Sequence, residues 1–85
     1  MNNILIENLS PEATEEDILP LFGRHGEVRR FKLMTDRRTG LSRGFGFIQM
    51  KTDAEAEVAI VALNGIDVSG KVLKVRQARP QIHRK

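Results

Sequence analysis

The sequence predicts an α+β sandwich in which two helices cover one face of a four-stranded antiparallel sheet. Three observations carry that reading: four short β-prone runs with alternating apolar residues, two segments whose apolar residues recur at helical spacing, and their order, β-α-β-β-α-β. The 85 residues make one domain, since a chain this short buries only roughly 60% of its unfolded surface and cannot support two cores. Residues 1–80 are assigned to that domain and 81–85 to a short basic tail.

Ile4-Leu5-Ile6 is the first strand signal, closed by the turn-like Asn8-Leu9-Ser10-Pro11. Thr14 reads as a helix N-cap, with Glu15, Glu16 and Asp17 in the first turn, where the helix dipole favours negative charge. Ile18, Leu21 and Phe22 follow at helical spacing, but Pro20 removes a backbone donor, so a short or kinked helix ending near Gly23 to Gly26 is expected. Val28 to Met34 is the second strand, and Thr35 to Ser42 a polar loop. The third strand is Arg43-Gly44-Phe45-Gly46-Phe47-Ile48-Gln49-Met50. Thr52 or Asp53 caps a second helix with Ala56, Ala59, Ile60 and Leu63 on its inner stripe, and Asn64-Gly65 stops it. A connector through Gly70 leads to the fourth strand, Val72 to Arg76. The resulting order is the ferredoxin-like split βαβ plan. Covering one face of its sheet with helices leaves the other open.

Composition excludes several classes of function. With no cysteine there is no disulfide framework, thiolate metal site or cysteine nucleophile. His25 and His83 have no partner at ligand or catalytic spacing, and no set of residues supplies nucleophile, base and oxyanion donors together. No catalytic centre, metal or cofactor is therefore expected. No apolar run approaches the ~20 residues of a membrane span, and no basic-then-apolar leader is present; a soluble, cytoplasmic protein is the expectation.

Charge is unevenly distributed along the chain. Ser10–Phe22 carries Glu12, Glu15, Glu16 and Asp17, and Thr52–Asn64 carries Asp53, Glu55 and Glu57, neither with any cation. All 14 Lys and Arg lie elsewhere. If both acidic segments are helices on one side, the sheet side attracts polyanions.

Alternation sorts the strand residues by face. The open face receives Asn3, Leu5 and Glu7; Arg30, Lys32 and Met34; Arg43, Phe45, Phe47 and Gln49; and Lys74, Arg76 and Ala78. Ile4, Ile6, Val28, Phe31, Leu33, Ile48, Met50, Leu73 and Val75 go to the core. Two of the four phenylalanines would then stand side by side among cations, which is the chemistry of a base-stacking platform.

At this point the residues resemble the RNA recognition motif family. Arg43 to Phe47 fits every position of its third-strand pattern, K/R-G-F/Y-G/A-F-V-x-F/Y; Ile48 is a conservative change and Met50 departs from the final aromatic. Ile4-Leu5-Ile6-Glu7-Asn8-Leu9 resembles the first-strand signature, with Leu5 where the family usually carries an aromatic. Phe22-Gly23, Asp53 with Ala59-Ile60 and Leu63-Asn64-Gly65, and Gly70-Lys71 before Leu73 and Val75 extend the likeness along the chain. The compact length resembles small single-domain members of bacteria and organelles. The resemblance implies noncatalytic binding of single-stranded RNA, with single-stranded DNA a second possible ligand, by Leu5, Arg30, Lys32, Arg43, Phe45, Phe47, Gln49, Lys74 and Arg76. Phe47 would stack on a base, Phe45 would pack against ribose and a neighbouring base, and Arg43 would contact phosphate. Loop residues Arg37 and Arg38 and tail residues Arg79, Arg84 and Lys85 are further candidate phosphate contacts. Leu5 offers no π-face, so affinity on the order of micromolar and limited sequence discrimination are expected.

A different class of function uses the same scaffold as a protein-interaction or dimerisation module. Val58 and Val61 turn largely outward on the second helix when Ala56, Ala59, Ile60 and Leu63 face inward, and with Leu19 or neighbouring apolar residues they are a candidate partner or homodimer surface.

Overall fold

The computed structural model describes residues 2–78. Its elements are β1 (Asn3–Glu7), α1 (Glu15–Gly23), β2 (Val28–Thr35), β3 (Ser42–Met50), α2 (Asp53–Leu63), a hairpin of β4 (Asp67–Val68) and β5 (Lys71–Val72), and β6 (Lys74–Gln77). The sheet runs β2-β3-β1-β6, every pair antiparallel. The ferredoxin-like plan read from the sequence is present. No helix among the described residues is long and apolar enough to cross a membrane.

Local chemistry sets the helix boundaries. Thr14 and Asp17 form a reciprocal capping box: the Asp17 N–H donates to Thr14 Oγ1 at 3.3 Å, and the Thr14 N–H donates to Asp17 Oδ2 at 3.1 Å. Pro20 lies inside α1, which extends only 9 residues. At α2 the Glu55 N–H donates to Thr52 Oγ1 at 3.1 Å, making Thr52 the N-cap.

The helices close over a single core. Ile4, Ile6, Ile18, Phe22, Ile48, Met50 and Leu73 are its largest fully buried side chains, with Ala56, Ala59 and Leu63 beneath α2. Val28, Phe31 and Leu33 are half-buried and pack against this cluster. Val28 and Phe31 differ in parity, yet both face inward. A register shift resolves this: Val28 opposes Met50 and Arg30 opposes Gln49, so Arg29 is the extra residue of a bulge.

Gly46 shows why β3 needs glycine at an inward position. A Cβ there would lie 3.0 Å from the Lys32 carbonyl oxygen and 3.5 Å from the Phe31 ring. Gly44 has a different reason, a φ of +97° at the start of β3, where the β2 pairing shifts between Leu33 and Thr35.

Two expectations need correction. Val72 to Arg76 is not one strand, because both backbone groups of Leu73 are taken by the α2 exit. The Gly65 N–H donates to the Leu73 carbonyl and the Leu73 N–H donates to the Ile66 carbonyl, each at 2.8 Å. Val72 pairs instead with Asp67 in the hairpin, and β6 begins at Lys74. Ala78 is also displaced from its expected exposure: its N–H donates to the Asn3 carbonyl at 2.8 Å, and the residue is buried.

Candidate nucleic-acid interface

Register assembles the open face as rows across four strands. One row runs Lys32, Phe47, Leu5, Arg76; Phe47 opposes both Lys32 and Leu5, and Leu5 opposes Arg76. Beside it, Phe45, Glu7 and Lys74 are cross-strand partners. On the other side, Arg30, Gln49 and Asn3 form a third row. The face is thus apolar at its centre and cationic at both edges.

Accessibility differs sharply between the two faces. Ile4, Ile6 and Ile48 are at most 1% exposed, whereas Phe47, in the same central strands, is 41% exposed. A large aromatic ring so open to water in mid-sheet is an uncovered apolar surface. Phe45, Leu5, Glu7 and Gln49 are half-buried, and Arg30, Lys32, Lys74 and Arg76 are exposed. The Phe45 and Phe47 rings lie 6.0 Å apart at 90°, edge to face. A flat ring stacked parallel to Phe47 therefore meets Phe45 edge-on, and the two phenylalanines offer different contacts.

Arg43 is exposed and belongs to the loop end of the face. With Met34, Thr35, Asp36 and Arg37 it lines a depression of about 430 Å³. Asp36 orders the loop beneath it: its Oδ1 accepts from the Arg38 N–H at 2.7 Å, and its carbonyl accepts from the Gly40 N–H at 2.7 Å. Arg37 and Arg38 are consequently held at the tip, both exposed. Arg79, Arg84 and Lys85 lie outside the described residues.

Glu7 is the carboxylate of this face. Its Oε1 lies 3.4 Å from Arg76 Nε, a diagonal ion pair across β1 and β6. Two asparagines build the surroundings. Asn8, in the left-handed region at φ 67°, donates through Nδ2 to the Val72 carbonyl at 2.7 Å and ties the end of β1 to the hairpin. Asn64 Oδ1 accepts from the Val75 N–H at 2.9 Å and covers the edge of β6. Sequence parity put Glu7 on this face without a role. The two asparagines read only as turn and helix-stop residues, because their partners lie 64 and 11 positions away.

On the opposite side, Val58 is 53%, Val61 81% and Leu19 39% exposed.

A two-layer sandwich that leaves one sheet face aromatic, cationic and uncovered is a module that offers a surface rather than a cleft. The family model for the RNA recognition motif matches residues 4–74. The chain belongs to the RNA recognition motif family. It is 46% identical over 79 residues to a Nostoc sp. protein named "Putative RNA-binding protein RbpE", a span covering 93% of this chain and 80% of that one. A Synechocystis sp. protein named "Putative RNA-binding protein RbpA" is 44% identical over 82 residues, or 96% of this chain and 81% of that one. Among solved structures, a Sex-lethal protein and RNA complex superposes with a TM-score of 0.89 at 34% identity, over 94% of this chain and 48% of that chain.

Proposed function

We propose that this protein is a noncatalytic binder of single-stranded RNA that holds the strand across its open sheet face. The observation that carries the reading is the row Lys32, Phe47, Leu5, Arg76, an exposed aromatic ring flanked by an aliphatic side chain and by cations at both ends. Exposed phenylalanine provides a stacking surface for any base, and lysine and arginine at the margins neutralise phosphates. The names of the cyanobacterial relatives and the RNA in the Sex-lethal complex support RNA as the polymer.

In this reading Phe47 stacks on a base and Phe45, edge-on to it, packs against ribose and the neighbouring base. Arg43, with Arg37 and Arg38 on the loop, contacts phosphate, as do Arg30, Lys32 and Lys74. Gln49 hydrogen-bonds a base edge, and Arg79, outside the described residues, is a further candidate phosphate contact. Leu5 contributes apolar contact without a π-face, so affinity is on the order of micromolar and most positions tolerate any base. The same face would accept single-stranded DNA, since stacking and phosphate contacts need no 2′-hydroxyl.

The test is fluorescence anisotropy with a labelled unstructured octanucleotide, comparing wild type with Phe47→Ala. Loss of one stacking partner is expected to weaken binding by about 1–3 kcal/mol, or roughly 5- to 150-fold. Equal affinity for both proteins would remove Phe47 from the footprint.

A second reading is favoured by the exposure of Val58 and Val61 on α2. There the chain meets a protein partner or a second copy through that helix. A monomer at high concentration, with unchanged behaviour on Val61→Lys, would exclude self-association.

A further inference from the structure

We infer that Glu7 makes one position of the bound RNA selective for guanine. The inference rests on the RNA reading above and concerns how one part of that face treats a base edge. Glu7 stands beside Phe45 on one strand and Lys74 on the other, and with Asn8 and Lys74 it lines an open depression of about 310 Å³ at the end of β1. A base that packs against Phe45 has this carboxylate at its margin.

Arg76 holds the carboxylate without enclosing it. Arg76 Nε approaches at 3.4 Å, longer than a tight hydrogen bond, and the Glu7 side chain remains 38% exposed. Two carboxylate oxygens offer about four acceptor sites and no donor. A base edge that satisfies them must present adjacent donors. Guanine does so with N1–H and N2–H. Cytosine and adenine each pair one amino group with a ring-nitrogen lone pair, and uracil flanks its single N–H with two carbonyl oxygens that the carboxylate repels. The acceptor is held from the β6 side: Arg76 draws the Glu7 side chain toward β6, and the bond from Asn8 to Val72 fixes the backbone at the end of β1. An isolated carboxylate on a phosphate-binding surface would otherwise only weaken attraction to RNA. Here its cost falls on every sequence, while its benefit falls on guanine alone.

The experiment measures dissociation constants for four labelled octanucleotides, seven uridines with G, A, C or U at one central position, against wild type and Glu7→Gln. Wild type is expected to bind the G octamer on the order of tenfold more tightly than the all-uridine one, with A and C between. Glu7→Gln is expected to shrink the gap to under about threefold, chiefly by tightening the all-uridine octamer as the repulsive charge is lost. Equal binding of the four octamers by wild type overturns the inference while leaving the RNA reading intact, as does a guanine preference that survives Glu7→Gln. Failure of wild type to bind any octamer overturns the RNA reading itself. Because glutamine preserves the shape of this half-buried strand residue, circular dichroism should show both proteins equally folded.

Discussion

The two faces of one sheet are built from the same strands by opposite rules. On the inner face Ile4, Ile6 and Ile48 are sealed beneath the helices; at the adjacent positions Leu5 is half-buried and Phe47 stays open. The inner face is specified by volume and the outer by chemistry. An inner substitution should therefore change stability, and an outer one should change binding at nearly constant stability.

The largest expected effect belongs to the inner face. Ile48→Ala removes a side chain only 1% exposed, and should lower the free energy of unfolding by about 2–5 kcal/mol in a urea titration. Loss below 1 kcal/mol would mean that the central strand is not the packing centre. Gly46→Ala tests the same face by crowding, since a Cβ would sit 3.0 Å from the Lys32 carbonyl oxygen; a cost of about 1–3 kcal/mol is expected by thermal unfolding. On the outer face, Leu5→Tyr adds a ring beside Phe47 and should tighten binding to an unstructured octanucleotide by roughly tenfold, with little change in melting temperature. An unchanged dissociation constant would put position 5 outside the footprint. The smallest effect belongs to the loop: neutralising Arg37 and Arg38 together should reduce the slope of log affinity against log salt by ~1.4, at ~0.7 for each lost single-strand phosphate contact.

Much of the inner face was legible because its signals are local. Alternation in β1 and β3, the caps at Thr14 and Thr52 and the spacing of Ala56, Ala59 and Leu63 each depend on residues a few positions apart. Local pattern failed where distant backbone intervened. Nothing in Val72-Leu73-Lys74 reveals that Gly65 and Ile66 take up the hydrogen-bonding groups of Leu73 and divide the run. The inward turn of both Val28 and Phe31 likewise depends on a bulge that parity alone does not contain. On the outer face the positions of Phe45, Phe47, Lys32 and Arg76 followed from alternation, but their neighbours did not. The Glu7 to Arg76 pair, the bond from Asn8 to Val72 and the edge-to-face angle of the two rings exist only once four strands are in register. That is why the aromatic strand was readable at once and the carboxylate beside it had no evident role.

The most direct test of the division between faces is a backbone NMR titration of the labelled protein with a short unstructured RNA. Perturbations should centre on Leu5, Lys32, Phe45, Phe47 and Lys74, with α2 unmoved. Shifts confined to Val58, Val61 and their neighbours, or none at saturating RNA, would contradict the account.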